Sequence, residues 1–341
     1  MTYSFKKYIP AYATGNKLCF GFVNEPSNYL EIEDNLINRS NFEKLLQEGI
    51  SQEEFLKNPF FLKLKKMGFL EKFEDMECEN RNFTYIKYLT DDNINKSKLE
   101  KKIIIFGAGG GGSTLAYYLA QFGFKNIYII DGDIVSENDV LRNFPFKMSS
   151  IGKRKVDVLK ELFLENFNVN LKTSIDMPLS REDIIKHIDS FNPYILVKAC
   201  DPAGLFINNL NDVCFEKKIP YMCMSYSFEN IKIGPFYIPG ITSCFKGISD
   251  FNVNNFGEHY KVELFERPFE KYLYHPSIIY NINILSSLVF KEILFFCLEK
   301  YEFCQTLGRL IIFNPLNFEA RSRKYRCKED CVTCLKSKYL D

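Results

Sequence analysis

Ile103-Ile104-Ile105-Phe106-Gly107-Ala108-Gly109-Gly110-Gly111-Gly112-Ser113 is followed closely by a second apolar run ending Ile129-Ile130-Asp131. A parallel strand covered on both faces is apolar throughout, and a nucleotide phosphate needs a bend without Cβ atoms and free N–H groups at a helix start. The stretch supplies both. Asp131, at the tip of the second strand, is placed to accept from a ribose hydroxyl, with an ordinary strand-end turn residue as the alternative. A Gly-rich turn fits NAD, FAD, SAM or a tight turn equally well, so the residues after it decide.

Working outward from the turn, strands near 126–131, 170–175, 194–199 and 220–225 alternate with helices near 111–122, 153–165, 180–190 and 204–216. This is the βαβ rhythm of a Rossmann-like α/β domain with a mostly parallel sheet. Ile231 to Ile238 predicts a strand broken by Gly234-Pro235, at a bulge or a sheet edge. Residues 241–275 have no steady period and predict an irregular crossover over the nucleotide site, followed by a helix over 277–299 and a last strand over 309–313. Residues 1–90 differ: short strand candidates precede a helix over 41–47, Ser51 to Glu54 forms a capping box, and Pro59 divides the next helical run. A further strand is predicted over 83–88. The expected layout is an α+β unit of winged-helix size over 1–90, a polar linker over 91–100 and the α/β domain over 101–341.

At 341 residues the chain can bury two cores. A formal net charge of +1 implies no nucleic-acid surface. The longest apolar stretch, Ile282 to Leu298, is interrupted by Lys291 and Glu292, so no membrane partner is expected. The 11 cysteines are an odd count and sit in apolar contexts, which fits reduced thiols and a cytoplasmic location.

After Asp131 come Gly132-Asp133, Asn138-Asp139-Val140-Leu141-Arg142-Asn143 and Gly152-Lys153-Arg154-Lys155. The two charges of a dinucleotide pyrophosphate need few cations beyond a helix N-terminus. Two placed cations point instead to a triphosphate whose leaving group must be stabilised. Lys155 opens a helix, an unfavourable place against the dipole unless an anion is present. Asp201 closes the strand of residues 195–200 at the sheet edge where ligands gather, and beside a polyphosphate a carboxylate there serves as a Mg²⁺ ligand. The bland alternatives are a solvated basic surface for Arg142 and Lys155, and a turn opener before Pro202 for Asp201.

These residues together resemble the ThiF/MoeB/E1-like adenylating enzymes, whose pattern is a GxGGxG turn, a DxD strand end, Asn-x-x-Arg-Gln, a GxxK helix start and a later Asp. Gly107, Gly109, Gly110 and Gly112 match the turn. Asp131 matches the ribose ligand, Asp133 the second Asp, Arg142 and Lys155 the phosphate-binding cations, and Asp201 the magnesium ligand. The chain departs from the pattern at Asp139, where Asn is expected, at Asn143, where Gln is expected, and at Lys198 and Pro202. Asp139 keeps its place in the cofactor-binding set.

The resemblance extends to the MccB-like branch, through Asn80-Arg81-Asn82-Phe83, the run from Gly234 to Cys244, and Cys331-Val332-Thr333-Cys334. Residues 1–79 match in layout only. It implies ATP-dependent adenylation of the C-terminal carboxylate of a short ribosomal precursor peptide ending in Asn, followed by succinimide and N–P bond formation. It also implies a homodimer whose second subunit supplies the arginine, and a peptide clamp of the RiPP-recognition-element type over 1–90, against which a small packed unit with no binding role remains open. Relatives bind structural Zn²⁺ through two CxxC pairs. Here the first pair is reduced to Cys244, with Gly247 in the other position, while Cys331 and Cys334 are intact and Cys327 can complete four thiolates. Reduced, unliganded thiols are the alternative. Two rival functions are an activator of a ubiquitin-like sulfur carrier, which has no need of an extra N-terminal domain, and an inactive E1-like module that binds a leader peptide. The three histidines lack metal spacing and predict surface or loop positions.

Overall fold

The computed structural model describes residues 2–72, 80–177, 180–200, 205–247, 276–325 and 331–334. It divides into two compact units, Met1–Ile94 and Asn95–Asp341.

In the first unit, β1 (Thr2–Phe5) lies between β5 (Ile50–Ser51) and β6 (Leu70–Lys72), and β2 (Ala11–Thr14), β3 (Lys17–Gly21) and β4 (Tyr29–Glu33) form a second antiparallel sheet. Phe5, Phe20, Leu45, Phe55, Phe60, Phe61, Leu64 and Phe69 form one buried core. Helix α1 spans Leu36–Gln47. It starts earlier than the apolar spacing indicated, because the Asn35 side chain accepts from the Asn38 N–H at 2.9 Å and sets the N-terminus. The capping box at Ser51 opens α2 (Gln52–Lys57), and Pro59 starts α3 (Pro59–Lys66) in its first turn, where its missing N–H costs nothing. The strand expected over 83–88 is instead inside helix α4 (Arg81–Thr90), capped by Asn80, with Ile86 buried. A single buried position in ten residues leaves the alternation without meaning, and the cap decides.

The second unit carries an eight-stranded sheet in the order β14-β13-β12-β11-β10-β7-β8-β9. Its strands are β7 (Ile103–Phe106), β8 (Ile127–Ile130), β9 (Lys172–Ser174), β10 (Ile195–Lys198), β11 (Tyr221–Ser227), β12 (Asn230–Tyr237), β13 (Arg309–Asn314) and β14 (Glu319–Lys324). From β11 through β10, β7 and β8 to β9 the pairing is parallel, and from β11 outward to β14 it is antiparallel. All residues of β7 and β8 are buried, as strands covered on both faces require. Ile104, Phe106 and Leu196 pack with residues of α8 (Arg181–Phe191) and α9 (Leu205–Glu216). Helices α5 (Gly110–Phe122), α7 (Lys155–Phe167) and α10 (Ile279–Cys297) pack on one another, α5 touching both others.

Strand β12 is interior, so of the two expected placements the bulge holds and the sheet edge does not. Pairing with β13 runs from Ile231 to Ile233 and stops before Pro235, while the register slips opposite Met222 and Met224, so the missing N–H falls outside the ladder. Strand β14 has six exposed residues and no alternating apolar pattern, which is why the sequence hid it. Helix α10 is long and apolar enough to cross a membrane by composition, yet Ile282, Leu285, Val289 and Ile293 are buried in the core. Its Glu292 carboxylate accepts from the N–H groups of Gln305 and Thr306 and from the Thr306 hydroxyl at 2.7–2.9 Å, and so fixes the turn entering β13. His187 is not at the surface: it is buried on α8, 2.8 Å from the Tyr128 hydroxyl, and burial holds its pKa below the usual value.

Candidate active site

Two glycines of the turn are imposed by the fold. A Cβ on Gly112 would lie 2.0 Å from the Gly107 carbonyl oxygen, and one on Gly107, whose φ is +107°, would lie 2.8 Å from the Cys200 nitrogen. The β7–α5 turn therefore lies directly against the end of β10: a side chain at Gly107 would force the two apart, and one at Gly112 would force the turn itself open. A Cβ on Gly110 would meet Asn143 Oδ1 at 2.4 Å and Ile282 Cδ1 at 2.7 Å. Gly109 is different. A Cβ there meets nothing within 4 Å, and its φ of −66° and ψ of −172° suit any L residue. Among the described residues no side chain caps α5, so the N–H groups of its first turn keep no side-chain acceptor, the arrangement that receives an anion.

Asp131 is 5% exposed and braces this turn: Ala108 N–H donates to Oδ2 at 2.6 Å, and Asp133 N–H to Oδ1 at 2.8 Å. Each oxygen keeps a second lone-pair direction for a hydroxyl donor.

The cations gather around Asp139. Helix α6 (Glu137–Arg142) begins with a capping box in which the Ser136 N–H and hydroxyl donate to Asp139 Oδ2 at 3.0 and 2.7 Å. Asp139 Oδ1 lies 3.4 Å from Lys155 Nζ and 3.6 Å from an Arg142 guanidinium nitrogen, and the Asn143 amide donates to it at 3.4 Å. Burial alone would raise the Asp139 pKa; the Ser136 donors, followed by Lys155 and Arg142, outweigh it and hold the carboxyl below its usual range. Lys155 is 6% exposed and also lies 3.3 Å from Asp133 Oδ2. Its position at the start of α7 is thus tolerated because two carboxylates face it. Arg142 and Lys155 of the same chain thus share one carboxylate oxygen of Asp139.

Asp201 lies outside the described residues, as do Cys327, residues 248–275 of the crossover and two of the histidines. Lys198, at the end of β10, donates to the Cys200 carbonyl at 2.6 Å. Sequence reasoning missed Ser136 and Ser286, whose hydroxyl donates to the Gly111 carbonyl at 3.1 Å. The S-x-x-D spacing could have shown the first. No local signal marks the second, because it arrives from α10.

A separate cluster unites Cys244, Cys331 and Cys334, all buried, with sulfurs within 4.8 Å of one another. Cys244 Sγ is 3.5 Å from Cys331 Sγ and accepts from the Gly247 N–H at 3.4 Å. The Cys244 thiol is lowered to about 6, first by its hydrogen bond with Cys334, against burial, with help from the Gly247 N–H, Cys331 and Asn211. Gly247, standing where a fourth ligand is expected, thus serves the sulfur through its backbone. A buried set of three sulfurs, one of them favouring thiolate, has the donor chemistry that suits zinc.

The ThiF family model matches residues 80–334. Among solved structures, E. coli MccB with ATP superposes with a TM-score of 0.74 at 21% identity, covering 98% of this chain and 99% of that one. MccB in complex with N-formylated MccA gives 0.74 at 21%, covering 98% and 100%. These likenesses show a shared fold. SUMO-activating enzyme subunit 2 of Dictyostelium discoideum is 29% identical over 134 residues, 39% of this chain and 18% of that one. The probable molybdopterin-synthase adenylyltransferase of Porphyra purpurea is 29% identical over 147 residues, 40% and 37%. The chain therefore spans well under half the length of these curated relatives.

Proposed function

The chain belongs to the ThiF family, and from that premise we propose that it is an ATP-dependent adenylyltransferase acting on the C-terminal carboxylate of a ribosomally made precursor peptide. The observation that carries the proposal is the open, uncapped start of α5 over Gly109, with Lys155 and Arg142 gathered on Asp139 nearby. A phosphate chain on those N–H groups brings its α-phosphorus to the C-terminal edge of the sheet. The peptide carboxylate oxygen attacks that phosphorus, the bond to the bridging oxygen of the β-phosphate breaks, and pyrophosphate leaves with the electron pair. The product is an acyl-adenylate. Lys155 and Arg142 offset the charge that builds on the leaving group, and Asp131 receives the ribose while holding the turn. Asp201 would hold Mg²⁺, which supplies Lewis-acid polarisation of the phosphates when bound.

The likeness to MccB, solved with ATP, with succinimide and with MccA, supports a precursor-peptide substrate and succinimide chemistry; a terminal Asn and a later N–P bond complete the proposal. The unit Met1–Ile94, with its two small sheets, would serve as the peptide clamp. Zn²⁺ would be held by Cys244, Cys331 and Cys334, with Cys327 as the fourth thiolate, and would tie the start of the crossover to the C-terminal tail. A homodimer belongs to the proposal, and the exposed apolar Leu141, Phe144, Met148 and Ile151, close in sequence on and after α6, are available to it. The test is ATP–pyrophosphate exchange with short peptides ending in Asn and, in parallel, with a carrier protein ending in Gly-Gly. Exchange with the peptides is expected. Exchange with the carrier alone would reject the proposal.

A further inference from the structure

Asp139 stands where the family pattern has a neutral Asn, and its surroundings give the extra charge a use. Both carboxylate oxygens are engaged: Ser136 takes Oδ2, while Lys155, Arg142 and the Asn143 amide converge on Oδ1 at 3.4–3.6 Å. The side chain is 4% exposed and its charge opposes phosphate, so it acts through the two cations in place of the direct cofactor contact expected of it. An Asn here has one acceptor oxygen. It could serve Ser136 or the two cations, and its amide hydrogens would face whichever side it left. The cations repel each other, and only a full carboxylate holds both at one point while the capping box stays closed.

We infer that Asp139 is a positioning residue for adenylation: it fixes Lys155 and Arg142 as a pair beside the Gly-rich turn and, by sharing their charge, weakens the resting affinity of the site for polyphosphate so that pyrophosphate can leave. The inference rests on the nucleotide site proposed above. Asp133, two-thirds exposed, neutralises Lys155 from the other side, so the resting cluster has little net positive charge.

Asp139→Asn restores the residue the family pattern expects and is the decisive variant. Full-length wild type and variant are titrated calorimetrically with tripolyphosphate and with α,β-methylene-ATP, and assayed for pyrophosphate exchange. Removing one negative charge next to the phosphates tightens tripolyphosphate binding by about tenfold, while loss of the paired geometry slows exchange by about tenfold or more. A merely structural cap would weaken both. Ser136→Ala, which removes a cap donor and leaves every charge, is expected to bind like wild type. Should Asp139→Asn fail to fold, Asp139→Ser carries the same test. Unchanged or weaker tripolyphosphate binding by the folded variant overturns the inference, as does an equal gain in Ser136→Ala. A wild type that binds neither ligand removes the nucleotide site itself, an outcome distinct from the others.

Discussion

Replacing Gly109 by alanine separates what the fold needs from what a ligand needs. A Cβ there would touch nothing within 4 Å, and φ of −66° with ψ of −172° is unstrained for alanine. Two small effects then oppose each other: the stiffer unfolded chain stabilises by about 0.4–1 kcal/mol, and alanine is a poorer N-cap than glycine by an amount of the same order. Stability should therefore stay within about 1 kcal/mol of wild type. The ligand fares differently. A phosphate bound at the uncapped start of α5 must bring an oxygen to within about 3 Å of those N–H groups, and a methyl competing for that open space is expected to cost about 2–3 kcal/mol, roughly 30- to 150-fold in affinity. Gly112→Ala is the contrast, since its Cβ would lie 2.0 Å from the Gly107 carbonyl oxygen and the turn itself must open. Urea unfolding and titration with α,β-methylene-ATP measure both quantities. If Gly109→Ala unfolds like wild type and binds the nucleotide within threefold of it, the open space over Gly109 is not a phosphate site.

Lys155→Met should slow pyrophosphate exchange by about 10²–10³. It should also destabilise by about 2 kcal/mol, because the buried Asp139 keeps Ser136 and Arg142, whereas the exposed Asp133 contributes little; an exchange rate within threefold of wild type would remove Lys155 from the phosphate site. Protein purified without chelator should carry about one equivalent of zinc, falling below about half in Cys244→Ser, and metal analysis showing less than half in wild type would end the zinc proposal. The lowered pKa of Asp139 means that its stabilisation is present above the unfolded carboxyl value of about 3.9 and fades as pH falls through the lower folded value. The stability deficit of Asp139→Asn at pH 7 should accordingly shrink below about pH 4 in urea titrations, and a deficit independent of pH would refute the assignment.

Much of the architecture was legible in the chain. The runs 103–106 and 127–130 are buried on both faces, and such strands must be apolar throughout, so their sequence carries their burial. Gly107 and Gly112 were legible as a turn, because only glycine tolerates backbone that close. Helix α4 and strand β14 were not. Helix α4 buries only Ile86 and β14 buries nothing, so burial left little mark on either sequence, and a side-chain cap in one case and pairing with β13 in the other decided them.

Sequence alone nominated the residues for the site: the glycines, Asp131, Arg142, Lys155, Asp201 and four cysteines follow from their chemistry, their spacing and the family pattern. Tertiary structure decided what each one faces. Spacing along the chain cannot report that Asp139 Oδ1 meets Lys155 at 3.4 Å, that Ser286 reaches the Gly111 carbonyl from α10, or that Cys244 joins Cys331 across 87 positions. Electrostatic and metal-binding geometry depends on distances through space, and the packing of the sheet and its helices sets those distances.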